Sequence, residues 1–221
     1  MTAVFRDRDD AGQALAGQLE PWADHEDLLV LALPRGGVPV AAAVAKALGA
    51  ELDVLVVRKL GTPGHEELAM GAIASGGARV LNASVIDQLD IHDDQIEAEA
   101  RRQQVELERR ARTYRGDRPP PRVAGRTVVV VDDGFATGAT MKAAVRALRL
   151  SDPRDIVVAV PVAPAGADEE MLGLADAFVA VQLPRDFHAV GLWYRDFAQT
   201  TDAEVRSALA AHERRARAAH R

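Results

Sequence analysis

The sequence contains no cysteine. That absence excludes a disulfide scaffold, a thiolate nucleophile and a cysteine-ligated metal. Lysine is almost missing: of the 27 basic residues only Lys46, Lys59 and Lys142 are lysines, the rest being arginine. Aromatic residues make up 4% of the chain. No apolar run approaches the ~18 residues needed to span a bilayer, so no membrane partner is expected. Met1 to Asp10 is charged early and lacks an apolar stretch, so no secretory signal is expected and the protein is assigned to the cytoplasm. The net charge of −6 argues against non-specific nucleic-acid binding. The six histidines are too scattered along the chain to read as a metal-ligand set. There is no Gly-x-x-x-x-Gly-Lys-Ser/Thr phosphate loop.

What is present is a chain of 221 residues, 48% hydrophobic, a size that suits one core. Short apolar, β-branched runs alternate with helical stretches. Leu28–Leu33, Leu52–Val57, Thr127–Val131, Ile156–Val160 and Phe178–Val181 read as strands. Val38–Leu48, Thr140–Leu150 and Asp168–Leu174 read as helices between them. Unbroken apolar strands separated by helices imply a doubly wound, mostly parallel α/β sheet covered on both faces. Asp7–Leu19 is expected as an N-terminal helix, and Thr201–Ala211 as a helix opened by the capping box Thr201-x-x-Glu204. The arginine-rich end, Arg214 to Arg221, is expected to fray. Asp93–Tyr114 reads as a long charged helix, acidic at its start and basic at its end, with a stripe of Ile96, Ala100, Leu107, Ala111 and Tyr114. So thin a stripe covers a domain edge or meets a partner. One domain is expected over 1–221, with a core at about 26–182, a hood at about 183–200 and the inserted helix at about 92–116.

The strongest chemical signal runs from Val128 to Thr140. A buried strand delivers Asp132 and Asp133 to its C-terminal end, and Gly134-Phe135 leads into the turn Ala136-Thr137-Gly138-Ala139-Thr140 at the start of a helix. Ligands in open α/β sheets bind at the C-terminal ends of strands. Backbone N–H groups and two hydroxyls at a helix N-terminus suit a phosphate. Two carboxylates beside it suit a sugar diol or a hydrated Mg²⁺ carried by the ligand. An Asp-rich turn after a strand is the plainer alternative for the pair alone; the thirteen-residue string is more specific.

The string resembles the phosphoribosyl-pyrophosphate (PRPP) binding motif of the type I phosphoribosyltransferases. The resemblance implies that Asp132 and Asp133 hold the ribose 2′- and 3′-hydroxyls and that Ala136, Thr137, Gly138, Ala139 and Thr140 cradle the 5′-phosphate. Gly134 and Phe135 depart from the aliphatic residues common there. The first strand ends in Leu33-Pro34-Arg35-Gly36-Gly37, where the family has its pyrophosphate loop; an ordinary strand-to-helix turn is the alternative reading. The second ends in Arg58-Lys59 and runs through Leu60 to Glu67, which resembles the start of the family's flexible catalytic loop. His65 is a candidate pyrophosphate donor there, or a surface histidine. Four of the nine aromatic residues (Phe187, Trp193, Tyr194 and Phe197) fall between Leu183 and Phe197. That stretch matches the hood, in which Phe187 and Val190 are the candidate acceptor contacts. Over nearly its full length the chain most resembles the bacterial group described as predicted phosphoribosyltransferases, on Phe5-Arg6-Asp7-Arg8, Pro34–Gly37, Glu67–Ala72, Val131–Gly134 and Ala189–Tyr194.

The resemblance implies a Mg²⁺-dependent transferase that moves ribose 5-phosphate from PRPP to a nitrogenous small-molecule acceptor, a nucleobase in the first instance, in nucleotide metabolism. Arg58, Lys59, Asp132 and Asp133 would be its catalytic residues. Arg35, Gly36 and Gly37 would join them in binding PRPP. A homodimer is also implied, with Leu68–Ile73 as a contact or, equally, a buried strand. Transferases for 6-oxopurines carry an acidic general base where this chain has Ala136. That departure keeps open a non-catalytic PRPP or nucleotide sensor on the same fold.

Overall fold

The protein is described by a computed structural model covering residues 4–219. Its centre is a parallel sheet of five strands: β1 (Leu29–Ala32), β2 (Glu51–Val54), β6 (Thr127–Val131), β7 (Asp155–Val162) and β8 (Ala177–Gln182). The spatial order is β2-β1-β6-β7-β8. Register is continuous through the middle: Leu29 lies level with Glu51 on one side and Val128 on the other. The valine run of β6 is fully buried because both faces are covered. Val129 and Val131 face α1 (Arg8–Gln18), α2 (Gly37–Leu48), α4 (Asp93–Arg115) and α7 (Asp202–Ala219). Val128 and Val130 face α5 (Ala139–Arg149) and α6 (Ala167–Met171). This is the period-2 alternation of a strand expressed as two cores.

The chain leaves β1 toward β2 in one direction and β6 toward β7 in the other. The order therefore reverses between β1 and β6, which opens a crevice above their C-terminal ends. Both motif loops, after β1 and after β6, emerge at that point.

A second, antiparallel sheet of β3 (Val57–Thr62), β4 (His65–Ala74) and β5 (Arg79–Leu81) follows β2, and the short α3 (Ala83–Gln88) leads from it toward α4. This sheet corrects two expectations. Leu52–Val57 is not one strand: it ends at Val54 and Val57 opens the next sheet. The stretch expected as a loop after Lys59 is the turn of the β3–β4 hairpin, closed by the pairing of Thr62 with His65. Alternation explains the misreading, because Leu60 and Thr62 are buried while Lys59 is exposed, and the polar members hide the strand. Within β4, Met70, Ala72 and Ile73 are buried and Leu68 is exposed.

The helices match the expected positions with small shifts. The Thr201–Glu204 box forms: the Glu204 amide donates to Thr201 Oγ1 at 3.2 Å, and the Thr201 amide donates to Glu204 Oε2 at 2.7 Å. The helix it opens runs on to Ala219, so Arg214–Arg217 are helical rather than frayed; Arg217 pairs with Glu213 one turn back. His220 and Arg221 lie outside the described residues. The helix expected over Asp168–Leu174 stops at Met171, because Leu172 leaves the helical region. Helix α4 covers an edge as expected, seating Ile96, Ala100, Leu107 and Tyr114 in the core. Its end is tied down by Arg115, whose Nε donates to Asp53 Oδ1 at 2.8 Å and whose Nη2 donates to the Val54 carbonyl. Among the described residues no helix is long and apolar enough to cross a membrane.

Candidate active site

The loop after β1 and the end of β6 are in direct contact. The Leu33 amide donates to the Val131 carbonyl at 2.8 Å. The Pro34–Arg35 peptide is cis. A Cβ on Gly36 would lie 2.0 Å from Asp133 Oδ2, and one on Gly37 would lie 2.7 Å from the Val131 carbonyl oxygen and 2.9 Å from Asp132 Cα. A side chain at either position would force a neighbour to shift. Two glycines thus let the loop and the start of α2 settle onto the acidic strand end, where the loop's backbone faces the same space as the two carboxylates.

Asp132 turns one oxygen back to its own chain: Oδ1 accepts the Asp133 amide at 2.9 Å. Burial, reinforced by the charge of Asp133, holds its carboxyl well above the usual carboxylate range. Burial also raises Asp133, against the opposing effect of Arg8. Arg8, at the start of α1, places Nε and Nη2 each 2.8 Å from Asp133 Oδ2. The guanidinium lies 4.0 Å from the Phe197 ring centroid and donates to the Ala198 carbonyl at 2.7 Å. The Tyr194 hydroxyl donates to the Asp133 carbonyl at 2.6 Å, and burial, followed by the charge of Asp133, raises the phenol above its ordinary value. The hood is built from both ends of the chain: the Phe5 amide donates to Trp193 and the Arg195 amide to Phe5, each at 2.9 Å. Two like charges held in a partly desolvated place are costly unless a cation or hydroxyl donors meet them.

Beyond Asp133 the chain drops Phe135 into the core, edge-on to Phe178 at 5.6 Å. Its ring sits beneath the next turn, where a Cβ on Gly138 would lie 2.1 Å from Phe135 Cζ. The departure at Phe135 therefore has a packing reason: the ring is the floor of the turn. Ala136, Thr137 and Thr140 are exposed above it. Gly138 offers α5 no side-chain cap, which leaves first-turn N–H groups for a ligand anion.

The expected site residues divide between two depressions. A cleft of about 590 Å³ is lined by Arg35, Gly36, Asp133 and Val190, together with Arg8, Arg109, Arg110, Tyr114, Phe197 and Asp202. Gly37 and Asp132 do not line it; they lie against each other, next to Gly36 and Asp133 in the chain. A second depression of about 310 Å³ holds Lys59, Thr137 and Ala139 beside Lys142 and Arg146. Arg58 belongs to neither: its Nε donates to Gln103 of α4 at 2.8 Å. As neighbours on a strand, Arg58 and Lys59 point to opposite faces, so the structure separates two residues expected to act together. Phe187 lines neither depression; the hood ring at the cleft is Phe197. The turn that carries His65 is exposed. Among the described residues no cluster of three or more acidic or histidine side chains forms a metal cage.

Sequence reasoning missed Arg8, Tyr194 and Phe197 around Asp133, and Arg109, Arg110 and Asp202 at the cleft. Arg8 stood in a quoted motif without a role. Tyr194 and Phe197 stood in the aromatic stretch without a role at Asp133, Arg109 and Arg110 pair locally with Glu106 and so read as an ordinary helix surface, and Asp202 meets Tyr114 and Arg35 only across the fold.

Comparison with known proteins bears on the fold and the family. Residues 8–180 match the family model described as the phosphoribosyl transferase domain. The chain is 48% identical over 202 residues to the Mycobacterium tuberculosis protein named "Putative phosphoribosyl transferase Rv0571c", with 91% of this chain and 45% of that protein aligned. It thus spans about half the length of the curated relatives it matches. The crystal structure of TT1426 from Thermus thermophilus is 47% identical, with a TM-score of 0.84 over 94% of this chain and 98% of that one. A hypothetical protein from Neisseria gonorrhoeae with bound ppGpp shares the fold at 14% identity, with a TM-score of 0.51 over 98% of this chain and 97% of its own.

Proposed function

We propose that this chain, which belongs to the phosphoribosyl transferase domain family, binds PRPP across the crevice between β1 and β6 and transfers its ribose 5-phosphate to a nitrogenous acceptor. The observation that carries this reading is the seating of Gly36 and Gly37 on Asp132, Asp133 and Val131, so close that a Cβ at either position would force a neighbour to shift. It joins an anion-binding loop to a pair of diol-binding carboxylates at the one place where the sheet order reverses.

In this reading Asp132 and Asp133 accept hydrogen bonds from the ribose hydroxyls. Both N–H contacts of Arg8 fall on Asp133 Oδ2, so Oδ1 takes neither of them. The turn Ala136–Thr140 and the start of α5 hold the 5′-phosphate. Arg35 and the backbone at Gly36 and Gly37 face the pyrophosphate. Lys59, beside Thr137, brings a cation from the hairpin. Mg²⁺, shared between the substrate and Asp132 and Asp133, would neutralise charge growing on the leaving group. The acceptor nitrogen donates its lone pair to C1′ as the C1′–oxygen bond breaks, and that bond's electrons depart with pyrophosphate. Fixed cations at the oxygens where charge develops lower the barrier, because their orientation is set before the reaction. Arg58, held by Gln103, acts by fixing the hairpin against α4.

The exposed methyl of Ala136, where related 6-oxopurine enzymes carry an acid, favours an acceptor that needs no proton removed at that position. It also supports the second reading, a PRPP-sensing regulator. Pyrophosphate release from Mg²⁺–PRPP, measured across purine, pyrimidine and amine acceptors with thermal shift in parallel, separates the two. Acceptor-dependent release is the expected result. Stabilisation by PRPP without release for any acceptor would favour the sensor. No stabilisation and no release would refute PRPP binding itself.

A further inference from the structure

We propose that Arg109 and Arg110, a turn before the last turn of α4, bind the pyrophosphate group of PRPP in the cleft they share with Arg35 and Gly36. This rests on the PRPP reading above and extends its binding site to an element outside both motif loops.

The charge balance of the cleft carries the argument. Its lining includes four arginines, Arg8, Arg35, Arg109 and Arg110, and two carboxylates, Asp133 and Asp202. Arg8 is committed to Asp133. Arg35 approaches Asp202 Oδ1 only to 3.5 Å, and that oxygen already accepts the Tyr114 hydroxyl at 2.9 Å. Arg109 and Arg110 share a single carboxylate: each places Nε 2.7 Å from an oxygen of Glu106. Two guanidinium groups present ten N–H donors and two charges, whereas one carboxylate offers about four lone pairs and one charge. A positive surplus therefore stands at this part of the cleft, which also holds Arg35 and Gly36 of the loop assigned to pyrophosphate.

Arginines near a helix C-terminus also answer the helix dipole, and that alone would explain basic residues there. Arg112 and Arg115 already occupy the last turn. Arg109 and Arg110 lie a turn earlier, at the cleft. The helix end is fixed over the cleft at two further points, Tyr114 to Asp202 and the buried pair of Arg115 with Asp53. A wall pinned in this way presents its cations at a defined place, and planar guanidinium groups match phosphate oxygens in pairs.

Isothermal titration in Mg²⁺ buffer with three probes, inorganic pyrophosphate, PRPP and ribose 5-phosphate, tests the assignment. Arg109 is exposed and Arg110 half-buried, and both pair with Glu106 on the same helix, so R109A/R110A should fold with a nearly unchanged melting temperature. The double variant should bind pyrophosphate and PRPP about 10- to 100-fold more weakly, with ribose 5-phosphate within about twofold of wild type. Glu106→Gln, which removes the internal competitor, should tighten pyrophosphate severalfold. Unchanged pyrophosphate affinity in R109A/R110A, an equal loss for ribose 5-phosphate, or weaker pyrophosphate binding in E106Q would overturn the assignment while leaving the PRPP reading intact. A wild-type protein that binds none of the three probes would overturn both.

Discussion

Asparagine at position 132 should stabilise the unliganded protein and disable it. The amide keeps the shape of the carboxyl, and its Oδ1 still accepts the Asp133 amide, now held at 2.9 Å. What disappears is a charge that burial and Asp133 both disfavour. Carboxylates on adjacent residues, roughly 6 Å apart, repel by about 3 kcal/mol at an effective dielectric constant of 20. Arg8, 2.8 Å from Asp133, offsets part of this. A net gain of about 1–2 kcal/mol in D132N follows, or roughly 2–8 °C in melting temperature for a chain of this size. Its pH dependence has a defined sign. A carboxyl whose folded-state pKa is raised binds its proton more tightly when folded. The wild type therefore bears the full penalty above the raised value and sheds it as pH falls toward the ordinary unfolded value near ~3.9. The advantage of D132N should be largest at neutral pH and shrink on acidification. Urea denaturation of both proteins at about pH 7.5 and about pH 5 reads this directly. PRPP affinity should fall at least about tenfold in the same variant, since an amide N–H₂ accepts nothing from a ribose hydroxyl. A variant less stable than wild type at neutral pH, or a stability gap independent of pH, would refute the reasoning.

Three other perturbations follow from the geometry. Gly36→Ala forces a methyl into Asp133 Oδ2 at 2.0 Å and should abolish PRPP-induced stabilisation in a thermal-shift assay; retained stabilisation would mean that the loop does not meet the ligand. Lys59→Ala should lower kcat/KM about 10²–10³-fold, the range seen for other preorganised electrostatic groups, and Arg58→Ala much less, because Arg58 faces Gln103. Equal losses would restore the pair as a catalytic unit. Arg115→Met leaves Asp53 charged and unpaired where the two side chains are only 5% and 9% exposed, and should cost about 3–5 kcal/mol in denaturation. Adding Asp53→Leu should recover most of it, and failure to do so would show that Arg115 acts through its bond to Val54 instead.

The parts of the site that could be read from the sequence are those whose atoms are neighbours in the chain. Asp132, Asp133 and the turn Ala136–Thr140 form one string, and the strand that carries them is uniformly apolar because both faces are buried. The parts that could not be read join residues far apart: 125 positions separate Arg8 from Asp133, and 62 separate Arg115 from Asp53. The hairpin lies between these cases. Its alternation is present in Arg58, Lys59 and Leu60, and reading it as a strand would have sent the two cations to opposite faces; charged residues at the exposed positions masked the period. The hood shows a different limit. Aromatic clustering located it, but clustering does not rank its rings: Phe197 lies at the cleft with Arg8 of the N-terminal helix across its face and Tyr194 of the hood beside it, and the first of these contacts spans nearly the whole chain. Helix α4 is the case in which a correct local reading hid a functional one. Its acidic start and basic end satisfy the dipole, so the charge pattern looked complete without a ligand. Only the fold, by bringing Arg109 and Arg110, which share Glu106, into one cleft with Arg35, turns that gradient into a surplus of positive charge where an anion is expected to sit.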